Sequence, residues 1–273
     1  MQPGHRAITP FLFLFVLVIS SCRSVSRVPE SANRPDAAAI LAAQNVDATI
    51  YQNMSAEVYR LYQQGYELAK IRLDANLARP HTKPPAVIVD IDETVLDNSS
   101  YQVTNAANGR TYSPETWKQW TAKASAKALP GAVEFLNYAA QRGCEVFYIS
   151  NREADEEAAT VRNLREVGFP MADTLHVIPM HGTSDKTTRR AAVAQTHYIA
   201  LLAGDQLRDF DERFKNRSVD HGKPLVDAQR DTLERYFIML PNSMYGTWLD
   251  AVSGKPLEGK PAAKVALLKK NAY

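Results

Sequence analysis

Cysteine is scarce in this chain. It has two, Cys22 and Cys144, in 273 residues, too few and too unevenly placed for a disulfide framework. Net charge is nearly absent as well. Lysine and arginine total 32 against 30 acidic residues, leaving a formal +2 with no block of like charges, so the electrostatic footprint of a nucleic-acid binder is missing. No repeat or low-complexity tract occurs. The apolar run Phe11–Ile19 falls far short of the roughly 20 residues that a membrane-crossing helix needs. What remains is an ordinary globular composition, at a length suited to one α/β domain with an accessory element or to two modest domains.

The first residues read as an address. His5 and Arg6 precede the apolar run, which ends in Ile19-Ser20-Ser21-Cys22. A weakly basic start, a short apolar core and small residues make a secretory signal. The aliphatic-small-small-Cys ending resembles a bacterial lipobox, which implies cleavage before Cys22 and acylation of its thiol. An ordinary signal peptide with a chance cysteine is the alternative. Several acyl chains on one residue anchor stably where a single chain does not. Arg23 follows, not the Asp that resembles an inner-membrane retention signal, which favours the outer membrane of a Gram-negative host. We therefore expect a signal peptide over 1–21 and a solvated tether over 22–36.

From Pro35 to about Ala78 the pattern is helical. Ile50, Met54, Val58, Leu61 and Leu68 recur at spacings near three and four and predict a buried stripe. Gly65 is expected to weaken or split the segment, giving two helices outside the main sheet. Short β-branched runs follow at 86–91, 145–149, 174–178, 198–202 and 236–240, separated by helical stretches at 131–142, 154–167, 185–196 and about 225–235. Such alternation implies a doubly wound parallel sheet. Ligands in such sheets bind beyond the carboxyl ends of the strands.

Chemistry-bearing residues cluster where those strands should end. The first ends in Asp90-Ile91-Asp92-Glu93-Thr94, with two carboxylates at i and i+2, a spacing that points both the same way off a strand. The second ends in Ser150-Asn151-Arg152, a hydroxyl and amides able to hold phosphate oxygens. Lys186 opens the helix after the third strand and is a suitable point charge for a phosphoryl oxygen. The fourth ends in Gly204-Asp205-Gln206-Leu207-Arg208-Asp209, whose acids suit Mg²⁺. Each piece is weak alone, and all of them could be a solvated acidic rim. Four in this order, each at a strand end, point to metal-assisted phosphoryl chemistry.

These four segments resemble the four motifs of the haloacid dehalogenase (HAD) superfamily of phosphohydrolases. Asp90–Ser99, Leu129–Phe135, Phe147–Arg152 and Ile238–Asn242, together with the lipobox, look like its class C bacterial acid phosphatases, which are lipoprotein nucleotidases. The resemblance spans about residues 50–270. Gln206, where that family usually has Asn, and Ser150, where many members have Thr, depart from it. It implies a Rossmann-like core over 37–273 with a smaller helical cap contributed by about 37–80 and 100–128. By resemblance Asp90 is the nucleophile and Asp92 the acid/base. The implied Mg²⁺ is held by the Asp90 and Asp205 carboxylates and the Asp92 backbone carbonyl, with Asp209 orienting its water. Ser150, Asn151 and Lys186 hold phosphate.

In the resembled family, aromatics of two segments stack on a nucleotide base; Trp117 and Tyr245 match them here, with cap core as the alternative. Trp120 and Trp248 read as core, His181 and His221 as surface or loop residues, and Cys144 as a small buried hydrophobe. Expected partners are a small phosphomonoester, in the first place a nucleoside monophosphate, the membrane through Cys22, and, as an oligomer to test, a second copy of the chain in a homodimer; a nucleic-acid polymer is not expected. Three readings compete with a nucleotidase: a receiver-type phosphoacceptor module, a binding lipoprotein without hydrolysis, and a phosphatase for other organic phosphates.

Overall fold

A computed structural model of the chain describes Met1, residues 45–253 and Lys264. Of the expected signal peptide only Met1 is described, and the tether and Cys22 lie outside the described residues. Five parallel strands form the central sheet in the order β5-β4-β1-β6-β7: β1 Pro85–Val89, β4 Glu145–Glu153, β5 Val177–Met180, β6 Tyr198–Gly204 and β7 Phe237–Met239. A separate two-stranded antiparallel pair joins β2 Leu96–Asp97 to β3 Lys127–Ala128. The mixed α/β class and parallel winding match the sequence expectation.

Residues alternate between the two sheet faces with the strand period. Val87, Val89, Val146 and Tyr148 pack into one cluster with the helices Ala56–Leu77, Ala132–Gln141 and Glu157–Glu166. Ala86, Ile88, Phe147 and Ile149 pack into the other with Val193 and Phe210 from the helices beyond. Burial on both faces explains why these strands read as continuous apolar runs. β1 is the switch point, with β4 on one side and β6 on the other, so the crevice for a ligand opens beyond the end of β1.

Three expectations are corrected. Gly65 does not split its helix, which runs unbroken from Ala56 to Leu77. A Cβ there would lie 2.7 Å from Leu240 Cδ2, so glycine permits close helix–sheet packing. The break falls at Ser55, whose extended backbone and side-chain acceptance from Val58 N, at 3.1 Å, cap the long helix. The buried stripe is also different. Of the five apolar residues expected inside, only Val58 is buried. Tyr62, Tyr66, Ala69 and Leu73 face the core instead, while Ile50, Met54, Leu61 and Leu68 are exposed. The tyrosines prevailed because their hydroxyls find partners inside. Third, the segment 174–178 is a strand only from Val177; Asp173 accepts the amides of Leu175 and His176 and turns the chain.

The helix Ala56–Leu77, within the stretch 37–80 expected to contribute to a cap, covers a sheet face, and the shorter helix Val46–Met54 precedes it. That short helix meets Ser99–Ala107, with Asn53 Nδ2 donating to Ser99 Oγ at 2.7 Å. The stretch between β2 and β3 holds Ser99–Ala107 and Pro114–Thr121.

Candidate active site

The chain leaves β1 at Asp90, whose amide still donates to Ala203 O at 3.0 Å. It then makes a tight loop. The amides of Val95 and Leu96 both converge on Ile91 O at 2.9 Å, and Glu93 takes a left-handed φ of 55°, unusual for a residue with a Cβ. The helix Ala56–Leu77 holds this loop from below. Tyr62 Oη lies 2.8 Å from Glu93 O and 2.7 Å from Pro241 O, and Tyr66 donates to Thr94 O at 2.5 Å. Glu93 is buried, accepts the Asn98 amide at 2.9 Å, and is pushed well above the usual carboxylate range by burial and neighbouring acids.

Three acids meet beyond β1 and β6. One carboxylate oxygen each from Asp90, Asp205 and Asp209 lie within 4.8 Å of one another. Lys186, at the start of the helix Thr187–Thr196, is buried among them. Its Nζ donates to Asp90 Oδ1 and, at 2.8 Å, to Asp209 Oδ1. Burial raises Asp90 to about 7, against the pull of Lys186 and with the help of Asp209 and Asp92. Asp205 is pushed up in the same way by burial, Asp209 and Asp90. Burial works against the Lys186 charge, yet Asp209 and Asp90 hold it above the ordinary lysine range. Three acids around one ammonium leave surplus negative charge, and an all-oxygen donor set of this kind fits a hard divalent cation.

Asp205 Oδ2 accepts from Gln206 Nε2 at 2.7 Å and Asn242 Nδ2 at 2.8 Å. The departure at Gln206 therefore keeps an amide on the acid. Asp209 Oδ2 accepts the Gln206 amide at 2.9 Å. Gly204 makes that fit: a Cβ there would lie 2.6 Å from the Asp209 side chain.

The Asp92 carboxylate stands apart from this cluster. It is turned to Arg152, whose Nη2 and Nε donate to Oδ1 at 2.8 and 3.0 Å. Ser150 is buried beside it, with Oγ 3.5 Å from Asp92 Oδ2 and accepting the Arg152 amide at 3.0 Å. Asn151 is exposed, and its Oδ1 accepts from Arg189 Nη2 at 2.8 Å, while Arg189 Nη1 donates to Ser150 O at 2.6 Å.

Of the two expected stacking aromatics, Trp117 is half-buried, edge-on to Tyr101 at 5.3 Å, with the Arg152 guanidinium 5.8 Å above its ring. Tyr245 points its hydroxyl inward, where that atom is buried without a hydrogen-bond partner among the described residues. Trp120 packs against the core, and Trp248 donates to Tyr245 O at 3.0 Å. His181 and His221 are exposed. Cys144 is buried, its thiol pushed up to about 11 by burial.

Nothing in the sequence assigns a role to Arg152, Arg189, Asn98 or Tyr62, although Arg152 and Asn98 lie inside runs already singled out. No local signal marks Tyr62 and Tyr66 beyond aromatics at i and i+4 on one helix face.

A family model described as HAD superfamily, subfamily IIIB (Acid phosphatase), matches residues 16–248. The chain is similar to the solved class C acid phosphatase of Bacillus anthracis, at 37% identity and a TM-score of 0.79, covering 86% of this chain and 98% of that one. The tungstate-bound form of that protein gives 36% identity with the same TM-score and coverage. Acid phosphatase 1 of Solanum lycopersicum is 26% identical over 131 residues, which is 45% of this chain and 50% of that protein, so the chain spans about half the length of this curated relative.

Proposed function

We propose, for a chain that belongs to the acid phosphatases of HAD superfamily subfamily IIIB, that it hydrolyses small phosphomonoesters, nucleoside 5′-monophosphates first among them, through an aspartyl-phosphate on Asp90. The observation that carries this reading is Asp90 itself: buried at the end of the switch-point strand, bonded to Lys186, and within reach of Asp205 and Asp209. A carboxylate oxygen of Asp90 attacks phosphorus and the ester P–O bond breaks. Asp92 gives its proton to the departing oxygen, then takes one from the water that attacks the phospho-Asp90, releasing phosphate and restoring both acids. Lys186 and Ser150 offer a charge and a hydroxyl to the transferring phosphoryl oxygens. Asp90, Asp205 and Asp209 would hold Mg²⁺, with the Asp92 carbonyl as a further candidate donor. Bound there, the ion supplies positive charge against which two anions can approach.

The nucleotide preference rests on Trp117, whose ring borders Arg152 and hence Asp92. The site proposed for the lipid is Cys22, which would tether the enzyme outside the cytoplasm, on the outer membrane of a Gram-negative host; a Cys22→Ala chain should then appear in the soluble fraction without acyl label.

The test is phosphate release from p-nitrophenyl phosphate and from adenosine 5′-monophosphate, with Mg²⁺ and after chelation. Asp90→Asn should abolish turnover on both, because the amide is a poor nucleophile, while tungstate, an oxyanion of phosphate-like shape, still binds. Full activity in Asp90→Asn would sink the mechanism. Activity that chelation leaves untouched would remove Mg²⁺ from it.

A further inference from the structure

Arg152 is only 3% exposed, and every part of its guanidinium is engaged. Nη2 and Nε grip Asp92 Oδ1 at 2.8 and 3.0 Å. Nη1 donates to Thr160 Oγ1 at 3.1 Å, and that hydroxyl spends its own proton on Glu156 O at 2.8 Å. Nη2 also reaches Asn98 Oδ1 at 3.4 Å, where Trp120 Nε1 arrives at 2.8 Å. With its oxygen taken by two donors, the Asn98 amide has one orientation open, and its Nδ2 donates to Asp92 Oδ1 at 2.8 Å. Burial works against the arginine charge, but Asp92 holds it above the ordinary range.

The two oxygens of Asp92 are therefore unequal. Oδ1 receives three donors at 2.8–3.0 Å. Oδ2 has only Arg152 Nε at 3.3 Å and Ser150 Oγ at 3.5 Å. A simple structural ion pair would place both oxygens on the fork side by side. This one pins a single oxygen and leaves the other weakly held.

We propose that Arg152, with Asn98 oriented by Trp120, is a positioning residue: it locks Asp92 through Oδ1 so that Oδ2 is the atom that delivers and recovers the proton. The clamp is mounted on a firm frame. The helix Pro114–Thr121 is tied to the segment after Arg152 by Lys118 Nζ on Glu153 and Asp155, at 2.6 and 2.7 Å, and by Thr121 Oγ1 on Glu156 Oε1 at 2.7 Å. Trp117 on the same helix lies under the guanidinium. A proton donor must meet the departing oxygen in the transition state, and a displacement of about 1 Å costs ~10²-fold in rate. Lysine can keep the charge of Arg152 but not its fork.

This inference rests on Asp92 being the acid/base, and the experiment separates the two. The kcat and KM of wild type, Arg152→Lys, Asp92→Asn and the double variant are measured on glycerol phosphate, whose alkoxide leaving group needs a proton, and on p-nitrophenyl phosphate, whose leaving group needs little. Arg152→Lys should lower kcat on the alkyl ester by about 10²-fold and on the aryl ester by less than about 10-fold, the alkyl loss lying at the low end of what a general acid contributes. KM should move by no more than about 2-fold, and in the Asp92→Asn background the same change should cost no more than about 2-fold, because coupled residues are not additive. Folding of each variant is checked by thermal melt, and Asn98→Ala, which removes one of the three donors on Oδ1 and only the long 3.4 Å contact to the arginine, should show the same split. Equal losses on both esters from Arg152→Lys, beside a loss in Asp92→Asn that is larger on the alkyl ester, overturn the clamp alone. Equal losses on both esters in Asp92→Asn overturn the clamp together with the role of Asp92 beneath it.

Discussion

Lys186 is the residue on which the charge balance of the site turns. It bridges Asp90 and Asp209 in a buried position, where breaking an ion pair by removing one partner costs about 3–5 kcal/mol. Lys186→Met should therefore destabilise the metal-free protein by an amount of that order, read by denaturant unfolding, and should also depress turnover severely. Unchanged kinetics in a folded variant would contradict its role toward phosphate. Trp117→Ala makes a different prediction. If a base stacks on this half-buried ring, KM should rise for adenosine monophosphate by about 5–30-fold, corresponding to the ~1–2 kcal/mol lower range of one stacked base, and stay nearly unchanged for p-nitrophenyl phosphate. Equal effects on the two substrates would return Trp117 to the cap core.

Elements matter here through close approaches that side-chain size forbids. Gly204 ends β6 against Asp209, and a Cβ would sit 2.6 Å from that side chain. Gly204→Ala should therefore displace Asp209 and with it Lys186, lowering affinity for the divalent cation by at least about 10-fold, as measured by titration calorimetry. Native affinity in that variant would show that the contact relaxes elsewhere. Gly65 poses the same question on a helix. Alanine is worth about 1 kcal/mol more than glycine in a helix interior, yet the added Cβ would press on the buried Leu240, and overpacking of this sort costs about 1–3 kcal/mol. We expect Gly65→Ala to lower Tm, and a rise would mean that the helix shifts freely over β7. Here the sequence misled because propensity is local, whereas the constraint is set by a strand 170-odd positions further along, where Leu240 follows Met239. The strands were legible for the opposite reason. Burial on both faces makes a short run wholly apolar, and that signature survives without any knowledge of its neighbours.

At the scale of the whole molecule the site shapes stability as well as catalysis. Burial raises Asp90 from an ordinary 3.8 to about 7 and pushes Asp205 and Glu93 upward too. Between those values the folded protein keeps protons that the unfolded chain has lost, so stability falls as pH rises. For Asp90 this contribution is complete below its unfolded value and is lost as pH passes through about 7. Chelated protein should melt several degrees lower at about pH 8 than at about pH 5.5, given ~2–4 °C per kcal/mol for a domain of this size. A saturating divalent cation should stabilise more at the higher pH, because it binds the deprotonated acids. A melting temperature that rises with pH in chelated protein would contradict this account of the buried acids.

The sequence by itself determined the alternation of strands and helices, the strand ends at which Asp90, Ser150, Lys186 and Asp205 cluster, and the family. These depend on periodicity and on residues close together in the chain. It also carried the apolar run and Cys22 on which the proposed export and lipid attachment rest. Only the tertiary structure decided which face of the helix Ala56–Leu77 is inside. Tyr62 and Tyr66 needed carbonyls at Glu93 and Thr94, about 30 residues away, before burying two phenols became favourable. Only it decided, too, that Asp92 turns to Arg152, a partner 60 residues distant, rather than to Asp90, which it follows by two. A carboxylate pattern announces that proton transfer is available; the direction in which one oxygen points is set by donors that folding brings together.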